Sequence, residues 1–211
     1  GDGVLGLVVA SLYFAQGISE LPNLLVSLSA EKYDVLKGSF VEQFTQAVSD
    51  GITIGAAQCH PLPDTVTPGA AACAEPLAVC LHAANRAEAI AGPLAGKTVL
   101  VTGAGPIGAL CVAVARLRGA ATIIVTDIQD ATLAVARRMG ADHAVNPVAD
   151  PDGLAEWQQD KGRVDLVFEC SAAASAIRDA VACLRPLGAL VQVGVAGPTP
   201  LPLNLMVGKE I

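Results

Sequence analysis

Three glycines set the first chemistry this chain can do. The run VLVTGAGPIG over residues 99–108 fits the spacing GxGxxG, with Gly103, Gly105 and Gly108 at the three positions. It follows a short β-rich stretch and opens an apolar helical one, the context in which such spacing carries meaning. Gly103 permits a tight turn. Gly105 lets a diphosphate approach the main chain where a Cβ would collide, and Gly108 lets the helix pack closely on the strand. The helix start at Pro106 and Ile107 adds free N–H groups and the positive end of a helix dipole.

A carboxylate agrees with this reading. Asp127 follows the next β-rich run, TIIVT, 19 residues beyond Gly108. An acid at that place accepts hydrogen bonds from the adenosine ribose hydroxyls and repels a 2′-phosphate. No basic residue follows until Arg137, so NAD is favoured over NADP.

The remaining polar residues are weaker candidates. His60, His82 and His143 have no metal-ligand spacing to another His, Cys or Glu. His143 reads as a structural or surface residue, and Arg137 and Arg138 as a solvated helix end. Trp157 reads as core or partly exposed packing. The six cysteines, Cys59, Cys73, Cys80, Cys111, Cys170 and Cys183, contain no CxxC pair. In a chain this long and apolar they read as free thiols of a reducing, cytoplasmic compartment.

Regular alternation of strand and helix must position these residues. Strands are expected at 99–102, 122–126, 143–145, 164–168 and 189–193. Helices are expected at 106–117, with Ile107, Leu110, Val114 and Leu117 on one stripe, and at 130–139, 153–161 and 173–184. Gly119 and Gly140 serve as stops, and Pro186 with Gly188 ends the last helix. Strands apolar almost throughout imply cover on both faces, hence an α/β fold with a doubly wound parallel Rossmann sheet. Residues 57–96 form a Pro-punctuated loop and a connecting helix from Glu75 to about residue 91. Residues 1–56 stay unassigned, with helix expected: the apolar run at 4–15 is short for a membrane span and reads as a buried helix or strand, with a truncated membrane helix as the alternative, and Ser39 with Glu42 has capping-box spacing for a helix ending at Gly51.

Composition fits that architecture. Of 211 residues, 53% are apolar, only 16% are charged and 3% are aromatic, which excludes disorder and a base-stacking surface. A net charge of −7 argues against a phosphate-tracking, nucleic-acid-binding face.

From about residue 57 onward the chain resembles the zinc-dependent medium-chain alcohol and polyol dehydrogenases. The residues that carry the likeness are AEPLAV at 74–79 with HAA at 82–84, the glycine turn at 103–108 and Asp127. Further along they are MGAD at 139–142 with Asn146 and Pro147, FECS at 168–171, VQVG at 191–194 and GKEI at 208–211. The resemblance implies an N-terminal catalytic domain that holds zinc and a Rossmann domain, here 97–211, that holds the cofactor. It places Glu75 beside the zinc or its bound water. It places Ser171, Val193, Gly194 and Val195 near the nicotinamide. The implied reaction is oxidation of a secondary hydroxyl of a polyol or aldonate such as L-idonate by zinc-assisted hydride transfer to NAD. Homo-oligomers using the Rossmann edge are also implied.

Departures from the pattern matter equally. No GHE motif, no Cys-Gly-Ser-Asp type turn and no structural-zinc cysteine cluster occurs, so the zinc site is incomplete here. The chain stops at Ile211, where the family's sheet goes on into a sixth strand. A second reading is therefore a non-catalytic dinucleotide-binding module that keeps the cofactor turn without the zinc chemistry.

Overall fold

The computed structural model describes residues 64–65, 68–195 and 197–211. The expectations for residues 4–15 and 39–51, and for Cys59 and His60, lie outside them. The chain divides into two units, Gly1–Glu75 and Pro76–Ile211. Of the first, the described residues form helix α1 (Pro68–Ala71) and the start of α2 (Ala74–Ala91).

In the second unit α2 runs on, and strands and helices alternate. They are β1 (Thr98–Thr102), α3 (Pro106–Leu117), β2 (Thr122–Thr126), α4 (Asp130–Arg138), β3 (His143–Val145) and α5 (Ala155–Gln158). Then come β4 (Val164–Glu169), α6 (Ala174–Cys183), β5 (Leu184–Gln192) and α7 (Leu203–Lys209). The strands form one sheet in the order β3-β2-β1-β4-β5, every pairing parallel. Successive side chains alternate between its faces. Val99, Val101, Ile123, Val125, Leu166 and Phe168 pack with α2, α3 and α4, while Leu100, Ile124 and Val167 pack with Ala180 and Cys183 of α6. Both faces are thus dry, which is why the strands read as continuous apolar runs. Among the described residues no helix is long and apolar enough to cross a membrane.

Three expectations are corrected. Of the stripe expected on α3, Val114 is buried and Ile107 and Leu110 pack against the core, but Leu117 is 78% exposed, and the buried face runs on through Gly108, Cys111, Val112 and Ala115. The small residues face the sheet because Gly108 must lie against the turn beneath it, and that contact fixes the helix's rotation. Helix is confined to Ala155–Gln158 within the expected 153–161, followed by a 3-10 turn, Gln159–Lys161, with Asp160 at φ 56°. Neither piece fully buries a residue, so little burial is on offer to propagate the helix beyond one turn.

Finally, Pro186 and Gly188 do not stop α6. They lie inside β5, which starts at Leu184 directly after the helix. Proline is tolerated there because β5 is an edge strand, and a register shift between Val164 and Leu166 absorbs the irregularity. The carbonyls at the end of α6 find another partner. The buried Lys209 Nζ donates to the carbonyls of Val181 (2.9 Å), Ala182 (2.8 Å) and Leu184 (2.7 Å), a cation at a helix C-terminus.

Candidate cofactor site

The strand order reverses at β1. The chain leaves β1 toward β2 and β3 on one side and returns to β4 and β5 on the other. Connections that depart in opposite directions open a crevice at the carboxyl ends of the strands. A cleft of about 330 Å³ lies there, lined by Gly103, Gly105, Asp127 and Ser171, with Ile128, Pro147 and Ala176 among its walls. Four of the residues expected from sequence to touch a cofactor therefore share one cavity.

Each glycine of the turn has a separate cause. Gly103 has φ +83°, and a Cβ there would lie 2.9 Å from the Ser171 backbone. A Cβ on Gly108 would lie 1.8 Å from the Gly103 carbonyl oxygen, so the helix cannot start here with any larger residue. Gly105 differs: among the described residues a Cβ there would meet no atom within 4 Å. Its lack of a side chain serves no packing among the described residues and keeps open the space above the helix start. Gly105 is also the N-cap of α3, with Pro106 in the first turn and no side-chain hydrogen bond at the cap. The first N–H groups of α3, which include that of Ile107, are thus left by the side chains to an anionic ligand.

Asp127 links the glycine turn to β2. Its Oδ2 accepts from the Ala104 N–H at 2.7 Å and its Oδ1 from the Gln129 N–H at 2.9 Å. The residue is half-buried and lines the cleft, and each oxygen keeps acceptor capacity beyond its one main-chain bond. The turn is also tied through its main chain, since Gly103 N–H donates to the Thr126 carbonyl at 2.8 Å.

Val193, Gly194 and Val195 do not line this cleft. Gly194 lines a neighbouring one of about 290 Å³ with Ile177, Leu190 and Met206, and Val195 is 97% exposed. They connect to the first cleft through Glu169, a residue given no role by sequence reasoning. Glu169 is wholly buried, and its main-chain carbonyl accepts from the N–H groups of Val193 (2.8 Å) and Gly194 (2.7 Å). The one available signal was an acid closing the apolar run VDLVF.

Glu75 lies in the first turn of α2, half-buried, and burial pushes its carboxyl above the usual range. His143 stands on β3 edge-on to Trp157, ring centroids 5.4 Å apart, which is a structural contact. Cys170 lines the cleft and donates to the Cys111 sulfur at 3.8 Å; that contact leads the causes that push the Cys111 thiol up. Cys73, Cys80, Cys111, Cys170 and Cys183 form no disulfide. Among the described residues no group of three or more His, Cys, Asp or Glu could hold a metal ion.

Residues 106–211 match the family model of zinc-binding dehydrogenases. The L-idonate 5-dehydrogenase (NAD(P)(+)) of Escherichia coli K12 is 39% identical over 155 residues, which are 73% of this chain and 43% of that one. The crystal structure of the L-idonate 5-dehydrogenase of that bacterium superimposes with a TM-score of 0.70 and 38% identity, covering 75% of this chain and 44% of the other. The sorbitol dehydrogenase of Bacillus subtilis is 37% identical over 147 residues, 68% of this chain and 40% of that protein. A short chain alcohol dehydrogenase of Escherichia coli CFT073, complexed with NADH, gives a TM-score of 0.65 at 27% identity, covering 74% and 46%. The chain spans less than half the length of these relatives.

Proposed function

The chain belongs to the zinc-binding dehydrogenase family, and from that premise we propose that it is the cofactor-binding part of an NAD-dependent polyol or aldonate dehydrogenase. The observation that carries this reading is the open space over Gly105, at an uncapped helix start, with Asp127 in the same cleft. The diphosphate lies on the first turn of α3. Asp127 receives the adenosine ribose hydroxyls on its remaining lone pairs, and its negative charge disfavours a 2′-phosphate. Ser171, with Val193 to Val195 beyond it, faces the nicotinamide half. When bound, the cofactor supplies a hydride acceptor for a secondary alcohol.

In this reading zinc would act as a Lewis acid on the alcohol, and among the described residues no group of three or more His, Cys, Asp or Glu could hold it. Glu75 is the one position that resemblance sets beside it. Relatives named for idonate and sorbitol support a polyhydroxylated small molecule as substrate, and L-idonate is the first to try. Cys111, Cys170 and Cys183, which form no disulfide, fit a cytoplasmic setting, and the edge strand β5 is the surface on which copies would associate.

The decisive test is a fluorescence titration with NADH and NADPH, followed by turnover of L-idonate with NAD. Binding of NADH well ahead of NADPH is expected. Equal affinity overturns the role of Asp127, and no binding of either overturns the reading.

A further inference from the structure

Glu169 is a carboxylate sealed from water for which hydride transfer has no use. It is 0% exposed at the end of β4, and none of its hydrogen-bond partners is a cation. Donors converge on it from three strand ends. Thr102 Oγ1 donates from β1 at 3.1 Å. The N–H groups of Ser171 (3.0 Å) and Ala172 (2.9 and 3.0 Å) donate from the turn after β4, joined by the Ser171 hydroxyl. The Gln192 side-chain amide donates from the end of β5 to Oε2 and also to the Gly194 carbonyl.

A leucine would fill such a place without the cost of desolvating a carboxylate. What the carboxylate does is fix three chain exits at once. Ala172 sits at φ +58°, a conformation a non-glycine residue keeps only when its surroundings over-determine it, and its N–H reaches both carboxylate oxygens. Ser171, held by the same oxygen as Thr102, is the residue against which Gly103 packs. The loop at 193–194 hangs from the Glu169 carbonyl and, through Gln192, from its side chain.

Resting on the cofactor reading above, we infer that Glu169 is the positioning residue for the nicotinamide half of the dinucleotide. It holds Ser171 and the 193–194 loop in register with the glycine turn, as Asp127 does for the adenosine half. The replacement Glu169→Gln keeps shape but aims an NH₂ at some of these donors.

The test is a pair of titrations on the chain as it stands, with NADH and with ADP-ribose, which lacks the nicotinamide. Glu169→Gln should weaken NADH about tenfold, shift the emission of bound NADH toward that of the free cofactor, and leave ADP-ribose within about twofold. Gln192→Ala, made at an exposed side chain, should show the same split at about threefold with unchanged circular dichroism; it decides the matter if Glu169→Gln does not fold. Equal loss of both ligands, or of neither, overturns the inference. Wild-type chain that binds ADP-ribose as tightly as NADH overturns it while the cofactor reading stands. Binding of neither ligand by the wild type overturns both.

Discussion

The two sides of the cleft hold carboxylates that do opposite things. On the β2 side Asp127 is half-exposed, accepts two main-chain N–H groups and keeps lone pairs for a ligand. On the β4 side Glu169 is wholly buried and uses both oxygens on the protein itself. The chemical group is the same; burial and donor count decide whether it stays open to the cleft or braces the protein. The loop geometries follow. The β2 side rests on ladder-like contacts such as Gly103 N–H to the Thr126 carbonyl, whereas the β4 side keeps a left-handed Ala172 that needs the carboxylate to hold it.

The sharpest way to break the comparison is at the turn both sides share. Gly108→Val would place carbon against the Gly103 carbonyl at a distance no relaxation of a side chain can cure. Overpacking costs ~1–3 kcal/mol where side chains yield, and more against backbone. Loss of cooperative thermal unfolding is the expected result, and a normal melt would show the packing argument wrong.

Gly105→Val separates binding from folding. Its side chain points into space that only a ligand would fill. NADH affinity should fall by about two orders of magnitude, an estimate for a steric block at the diphosphate, while the melting temperature stays near that of the wild type. Retained affinity would remove the diphosphate from this spot.

Asp127→Asn probes the recognising carboxylate alone. Removing the charge weakens acceptance of ribose hydroxyls and lifts repulsion of a 2′-phosphate. NADH binding should drop roughly tenfold, the scale of one charged hydrogen bond, and the gap to NADPH should narrow. A variant that still rejects NADPH would locate discrimination elsewhere.

The smallest effect concerns the amino ends of the strands, opposite the cleft, where an acid stands on each side of β1 and β2. Asp142 receives the Ile123 N–H and Arg116; Asp165 receives the Thr98 N–H and Arg185. Burial works to raise both carboxyls, but the hydrogen bonds and arginines outweigh it and hold both below the usual carboxylate value. A depressed acid adds stability above its unfolded pKa of ~3.9, and the gain is lost as pH falls through the folded-state value. Melting temperature should therefore decline below about pH 4. Asp165→Asn and Asp142→Asn should each flatten that decline; an unchanged acid limb in both would show that neither pair contributes.

Much of this was legible in the residues. The strand runs at 99–102 and 122–126 and the helix at 106–117 stand where their patterns placed them, because apolar strands and a Pro-initiated helix are local signals. Local patterns failed where the cause was distant. Leu117 fits an apolar stripe but faces water, because Gly108 against Gly103 sets the rotation of α3. Pro186 resembles a helix stop but lies in an edge strand, while Lys209, 25 residues beyond Leu184, caps α6.

The sequence by itself determined the order of elements, the glycine turn and the acid that follows it, since each depends on neighbours within a few residues or on a fixed βαβ spacing. Only the tertiary structure decided that Glu169 would be buried among donors from three strands. Thr102, Glu169 and Gln192 are separated by 67 and 23 positions in the chain, and no periodicity links them until the sheet order sets β1, β4 and β5 side by side.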